Sequence, residues 1–362
     1  MRAAIVWHSI SGYMASCWRA LAAEMGDDLL VVTQRPDPKG ATPFDPALVQ
    51  GVNIQLVEPA LLNDPNGVVN VVAAHKPDVV VLNGWFMPAC RALATNPGLS
   101  SARKIMAIDR PRETWFKDAA NKLRHGGLLR KCDLLFVTGE RCYQFARFLG
   151  FPESRIRRGT YGVDVAGFGP VLERRLQQPT GWPRSFLFMG RYDPVKGIDV
   201  LVEAYRAYRQ LVRDPWPLVC CGRGPMGDLL GRVPGIEDRG FVQPGDQPGL
   251  MAGQGVFLMA SRFDPWPLVI VESAAAGLPI VCTNACGSGV ELVRGYHNGM
   301  QVATGDSGAL AAGMRWMHEH HEALPEMGRR SRELATAYSA QMWARRWQEA
   351  FADAVSLTRR DQ

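Results

Sequence analysis

No apolar run in these 362 residues approaches the roughly 20 needed to cross a bilayer, and no signal peptide opens the chain. A cytoplasmic protein is the expectation. The eight cysteines fall singly or as the adjacent pair Cys220-Cys221, without a CxxC pattern, which excludes a disulfide framework. No two aspartates stand two apart, and the cluster His318, His320 and His321 reads HEHHE, without the HExxH spacing that places two ligands on one helix face. No metal site is therefore expected, and the histidines read as a solvated helix end. Internal repeats and low-complexity tracts are also missing.

What is present begins with FLFMGRYDPVKG, residues 186–197. The short apolar run Phe186 to Met189, bounded by Pro183 and Gly190, predicts a buried strand. Beyond it Ile198, Leu201, Val202, Tyr205 and Leu211 recur at helical spacing. Arg191 and Lys196 thus flank a strand-to-helix turn, where free backbone N–H groups already favour anions. Either the two cations clamp a diphosphate or they are solvated loop charges.

A second constellation is SRFDPWPLVIVESAAAGLPIV, in which seven residues separate Asp264 from Glu272. The pattern predicts a helix starting at Glu272, ended by Gly277, with Pro279 leading into a strand at Ile280 to Cys282. Glu272 is then a dipole partner of that helix or a ligand-facing carboxylate, and Asp264, before a proline, a turn former or a site residue. GRGPMG at residues 222–227 is a literal GxGxxG after the apolar run Trp216 to Cys221. Pro225 interrupts it, and Glu237 and Asp238 come too early for the ribose partner of a nicotinamide site. A tight turn beside a ligand pocket fits better.

The order GRxxxxKG, GxGP at Gly222 to Pro225, then acid-x7-Glu followed by AAAGLP, resembles the retaining GT-B glycosyltransferases of family 4 (glycosyl transferases group 1). The stretch 134–164 looks like the end of that family's amino-terminal domain, with Tyr161-Gly162-Val163-Asp164 where its pattern reads NGVD. The resemblance implies an α/β GT-B fold, two Rossmann-like domains facing a deep cleft. Arg191 and Lys196 would hold the diphosphate of a UDP-, GDP- or ADP-sugar, and Glu272 would accept from the ribose hydroxyls. Asp264 would face the donor sugar, the N–H groups of Leu268 and Val269 would touch phosphate or sugar, and Phe241 and Val242 would lie near the base. This chain departs from the family in carrying Asp264 for Glu, Pro267 for Gly and Asp109 for His. The implied chemistry needs no protein nucleophile, metal or cofactor. The acceptor, a glycan, a lipid-linked sugar or a small molecule, attacks from the leaving-group face, and the diphosphate takes its proton.

The first half has the same α/β grammar, with strands expected at 3–7, 29–33, 53–57, 78–82, 105–108 and 134–138. Gly12, in a small-residue loop after the first strand, is a candidate for close approach to donor or acceptor. Asp109 either bonds a sugar hydroxyl or pairs with Arg110 or Arg112. The expected division is residues 1–166 for an acceptor-binding domain, completed by a terminal helix at about 341–360. A linker at 167–185 and a nucleotide-sugar domain at 186–340 follow. In the terminal helix Trp343, Trp347 and Phe351 recur at four-residue spacing, which marks a core stripe.

Formal charge is +6, but residues 101–158 hold 14 Lys and Arg against 6 Asp and Glu. Such a basic stretch suits an anionic membrane, met peripherally at its inner face, a phosphorylated acceptor, or plain solvent. No nucleic-acid motif accompanies it. Two other functions stay open: a GT-B sugar phosphorylase using orthophosphate, for which no pyridoxal phosphate lysine is identifiable, and a non-catalytic protein that keeps the fold.

Overall fold

Runs such as Ala3–Ser9 and Val79–Asn83 are apolar at nearly every position, with neighbours Ala3, Ala4, Ile5 and Val6 all buried. That is the pattern of parallel strands covered on both faces. The computed structural model describes residues 1–37, 44–58 and 64–357. Within them lie thirteen strands: β1 Ala3–Ser9, β2 Leu29–Gln34, β3 Ile54–Val57, β4 Val79–Asn83, β5 Arg103–Ile108, β6 Leu134–Val137, β7 Ile156–Arg158, β8 Phe186–Met189, β9 Leu218–Cys221, β10 Ile236–Asp238, β11 Val256–Met259, β12 Ile280–Thr283 and β13 Gly299–Val302. The helices are α1 Gly12–Met25, α2 Pro65–Ala74, α3 Pro88–Thr95, α4 Trp115–Leu129, α5 Glu140–Phe148, α6 Gly169–Leu176, α7 Ile198–Leu211, α8 Gln247–Ala252, α9 Leu268–Ala275, α10 Gly287–Leu292, α11 Ser307–Glu319, α12 Leu324–Ala335 and α13 Ala340–Ser356.

The chain forms two units. The first holds Met1–Asp37, Phe44–Gly162 and the segment from Ala340 onward. Its parallel sheet runs β3-β2-β1-β4-β5-β6-β7. Alternate residues feed two cores: Ala4, Val6, Val80 and Leu82 on one face, Ala3, Ile5, Val79 and Val81 on the other. The second core also takes Trp18 from α1 and Trp343, Trp347 and Phe351 from α13. Trp347 stacks on Phe136 of β6 at 4.2 Å, and Trp343 Nε1 donates to the Thr160 carbonyl at 2.6 Å. Residues 358–360 of the expected terminal helix lie outside the described residues.

The second unit spans Val163–Ser339, with a parallel sheet β10-β9-β8-β11-β12-β13. In each sheet the chain winds outward from one strand, then restarts beside it, so the order reverses between β1 and β4 and between β8 and β11. Ligands of open α/β sheets bind outside the carboxyl ends of the strands at such a reversal.

Residues 167–185, expected to be an irregular linker, contain α6, which buries Val171, Leu172 and Arg175 in the second unit. The Arg175 guanidinium donates to the carbonyls of Ala276 and Gly277, at 2.8 and 2.9 Å, just past α9, and to that of Met251 at 2.5 Å. At Ala276 and Gly277 it serves carbonyls that the end of α9 leaves without intrahelical partners. Burial lowers its pKa to about 9. All eight cysteines are free and buried.

Candidate functional site

The loop after β8 is built by backbone packing. Tyr192 N donates to the Arg223 carbonyl at 2.9 Å, and Met226 N to the Tyr192 carbonyl at 3.0 Å. A Cβ on Gly222 would stand 1.9 Å from the Gly190 oxygen, and one on Gly224 2.3 Å from the Tyr192 oxygen. The GxGP turn therefore clamps the Arg191 loop main chain to main chain, which only glycine permits. Gly197 does the same on the other side. At φ +69°, its missing Cβ leaves room for the Ala260 carbonyl, which would otherwise stand 2.1 Å away at the end of β11.

This approach carries Lys196, on the short turn Pro194–Lys196 after β8, to Asp264, in the loop after β11. The Lys196 ammonium donates to Asp264 Oδ2, with both side chains largely buried. Asp264 is held by its backbone: Gly287 N donates to its carbonyl at 2.9 Å, and its own N donates to Ala285 O at 3.3 Å. The pair thus bridges the two strands that flank the reversal point of the second sheet. Arg191 stands on the same loop but is half exposed, and its Nε donates to Asp193 Oδ2 at 2.9 Å.

Asp193 was not singled out from the sequence, yet it organises both cations. Its Oδ1 accepts from Lys196 N at 2.9 Å while Oδ2 takes Arg191. The signal was available in Asp193-Pro194, a dipeptide whose carboxylate commonly folds back onto a backbone N–H.

Glu272 does not start a helix, as its spacing had implied. The helix α9 begins at Leu268, one turn earlier, and Glu272 lies inside it, 9% exposed. Pro267 occupies the N-cap position and supplies no side-chain cap. The first N–H groups of α9, those of Leu268 and Val269, thus stand at a positive dipole end without intrahelical acceptors. Among the described residues no hydrogen bond or ion pair to the Glu272 carboxyl is found. Burial raises its pKa from 4.5 to about 7. Phe241 and Val242 lie half-buried in the loop after β10.

In the first unit, Gly12 opens α1, behind the N-cap Ser11, whose hydroxyl accepts from Met14 N at 3.4 Å. Asp109 follows β5 and accepts from the Tyr161 hydroxyl at 2.9 Å. The arginines considered as its partners bind other acids: Arg110 pairs with Glu113 at 2.5 Å and Arg112 with Asp118 at 3.2 Å. Tyr161, which stands where the family pattern has Asn, sets its ring edge-on to Trp7 and Tyr13. Burial, and then the Asp109 charge, push its phenol well above its usual range. Gly12 and Asp109 are thereby linked, through Tyr13 and Tyr161.

The histidines are not all solvated. His318 stacks on Trp216 at 4.9 Å and bonds the Tyr208 hydroxyl at 2.7 Å, and His320 stacks on Trp316 at 4.3 Å. No group of three or more His, Cys, Asp or Glu among the described residues is placed to hold a metal ion.

Residues 183–320 match the family described as glycosyl transferases group 1. The D-rhamnosyltransferase WbpZ of Pseudomonas aeruginosa is 28% identical over 196 residues, 49% of this chain and 49% of that protein. The glycogen synthase of Mycobacterium tuberculosis is 27% identical over 278 residues, 72% of this chain and 65% of its own. The matched stretch thus spans between about half and two thirds of these curated relatives. The crystal structure of HepE from Anabaena, in complex with UDP and glucose, superposes with a TM-score of 0.76 at 17% identity. The match covers 98% of this chain and all of that one. The chain therefore has the GT-B fold, and the segment that builds the Lys196–Asp264 site falls within its match to the glycosyl transferases group 1.

Proposed function

We propose that this protein is a retaining glycosyltransferase that moves a sugar from a nucleoside-diphosphate sugar to a hydroxyl acceptor. The observation that carries the reading is the set of charged and polar groups gathered at the carboxyl edge of the second sheet. Lys196 is paired with Asp264, α9 has no side-chain cap, and Glu272 is buried without a partner. One ligand would engage all three. Its diphosphate takes the ammonium and the helix N–H groups, its ribose hydroxyls donate to Glu272, and its sugar meets the Asp264 carboxylate.

The chemistry follows from charge. Cleaving the bond between the anomeric carbon and the diphosphate builds positive charge on the sugar ring and negative charge on the departing oxygens. Lys196, Arg191 and the α9 N-terminus stabilise the latter. A well-placed donor of this kind contributes about 3 to 4 kcal/mol, so losing Lys196 slows turnover by roughly two or three decades. The acceptor attacks from the leaving-group face and its proton passes to the diphosphate, which leaves no step for a protein nucleophile. Asp109, held by Tyr161, is the first unit's candidate for bonding a sugar hydroxyl.

UDP in the HepE structure supports a UDP-linked donor, with GDP- and ADP-sugars as the comparison arms. A ligand present at about 100 times its dissociation constant stabilises by about 2.7 kcal/mol, well within reach of a thermal-shift panel. One nucleotide sugar should raise the melting temperature, and Lys196→Ala should abolish the rise. The double variant Lys196→Ala/Asp264→Asn leaves no uncompensated buried charge, and so separates lost binding from lost stability. Slow nucleotide release without acceptor distinguishes an enzyme from a binding protein, and dependence on orthophosphate would favour a phosphorylase. No rise with any nucleotide sugar would overturn the reading.

A further inference from the structure

Helix α4 turns its apolar stripe outward. Phe116, Ala120, Leu123 and Gly127, at i, i+4, i+7 and i+11, share one face and are all exposed, Phe116 at 77% and Leu123 at 88%. The opposite face buries two polar groups, Asp118 and His125, and near its end Leu129. Asp118, fully buried, accepts from Arg112 at 3.2 Å, and His125 stacks on Trp85 at 4.8 Å and bonds Arg91 at 3.2 Å. A surface helix ordinarily does the reverse. Each inward polar group has a partner, so the inversion is a built arrangement.

The cations are placed to match. Lys117, Arg124 and, past the helix end, Lys131 follow at seven-residue spacing on one flank of the stripe, and Trp115, 63% exposed, and Lys122 on the other. Residues 110–131 contain seven Lys and Arg against two Asp and Glu. Lys117 is engaged with Glu113 at 2.9 Å and Lys122 with the Phe148 carbonyl at 3.0 Å. Among the described residues no ion pair is found for Arg124, Arg130 or Lys131.

We propose that α4 is a docking face for a lipid bilayer with anionic headgroups. The helix lies in the interfacial plane, with Phe116 and Leu123 entering the acyl boundary, Trp115 at headgroup depth and the flanking cations over the lipid charges. Two features favour a bilayer over an acidic protein. The apolar groups crest a single helix and have beside them Arg124 and Lys131, engaged by no acid among the described residues, which suits a surface apolar beneath and anionic on top. The stripe also includes Gly127 and Ala120, which offer a protein partner little to grip. No helix among the described residues is long and apolar enough to cross the membrane, so the contact is peripheral.

The test is sedimentation of the full chain with vesicles of phosphatidylcholine alone and of phosphatidylcholine mixed equally with phosphatidylglycerol. Binding is expected to the anionic vesicles, to weaken with added salt, and to be slight on the neutral ones. Phe116→Ser/Leu123→Ser should cut it by about tenfold or more per side chain. Arg124→Gln/Lys131→Gln should cut it about fivefold per charge. All four side chains point to solvent, so both variants should melt as the parent does; if either does not, quenching of Trp115 by brominated lipid, compared with a Trp115→Phe chain, provides the same reading without them. Failure to bind anionic vesicles at low salt, equal binding to neutral ones, or binding unchanged in both variants and unquenched at Trp115 would overturn the proposal.

Discussion

Replacing Glu272 with Gln should make the unliganded protein more stable and the nucleotide complex weaker. Burial raises the Glu272 pKa from 4.5 to about 7. A raised acid favours the folded state while protonated, so its contribution is fully present below pH 4.5 and is lost as pH rises toward 7. Above that the folded chain carries a buried carboxylate. A tenfold change in proton affinity corresponds to about 1.4 kcal/mol, so holding that charge costs about 3 kcal/mol. Gln keeps the shape and cannot ionise. The stability difference between variant and parent should therefore be near zero at pH 4 and grow to about 3 kcal/mol by pH 8, most of it between pH 4.5 and 7.

The readout is denaturant unfolding of both proteins across that range, without nucleotide. A melting-temperature gain of roughly 6 to 12 °C at pH 8 is the thermal equivalent for a unit of this size. Nucleotide should reverse the ranking. If ribose hydroxyls donate to the ionised carboxylate as proposed, the parent should bind more tightly as pH rises through 7 and release a proton on binding, which calorimetry in buffers of different ionisation enthalpy detects. Glu272→Gln should lose both. A stability difference that does not vary with pH would show that Glu272 is not a desolvated acid. Unchanged nucleotide affinity in the variant would remove it from the site. A stabilising change that costs function is the usual signature of a group kept for binding.

Gly197→Ala should lose the nucleotide-induced rise in melting temperature and about 2 kcal/mol or more of stability, because the new Cβ meets the Ala260 carbonyl at 2.1 Å and the backbone sits at φ +69°. A fully folded, nucleotide-binding Gly197→Ala protein would refute the packing argument. Asp193→Ala removes the acceptor shared by Arg191 Nε and Lys196 N, and should cost about 1 kcal/mol in unfolding and several-fold in nucleotide affinity. Trp347→Ala, in the core between α13 and β6, should cost about 3 to 5 kcal/mol by chemical unfolding, the loss typical of a large buried ring. A loss below about 1 kcal/mol would argue against α13 as an integral part of the first unit.

The strands were legible where both faces are buried, since continuous apolar runs such as Phe186 to Met189 admit few other structures. The three-residue β7 and β10 were not, being too short to show a period. Lys196 and Gly197 could be read together because the glycine announces a position with no room for a side chain. The helix start expected at Glu272 is one turn late for a different reason. Leu268 to Val271 is rich in β-branched residues, so local preference resists a helix, and burial of Leu268, Ile270 and Val271 overrides it. Arg175 escaped notice because a guanidinium in a proline-bearing stretch reads as solvent-facing, whereas here three carbonyls at helix ends receive it.

Helix α4 shows the deepest limit. Periodicity locates an apolar stripe at Phe116, Ala120, Leu123 and Gly127, and the usual inference then turns that stripe inward. Spacing fixes only the phase of a helix, however, not the side that meets the core. The side is decided by where the polar residues half a turn away can be satisfied. Asp118 finds Arg112 and the Glu113 N–H in the segment that leads into α4, and His125 finds Arg91 of α3 and the face of Trp85. The His125 pKa is lowered there by burial and then by the nearby Arg91 charge. With these groups satisfied inside, rotating α4 to hide Phe116 and Leu123 would strip a buried carboxylate and an imidazole of their partners. Breaking such a buried pair costs about 3 to 5 kcal/mol, the same order as burying two large apolar side chains recovers, so the polar partners weigh as much as the stripe in setting which side meets the core.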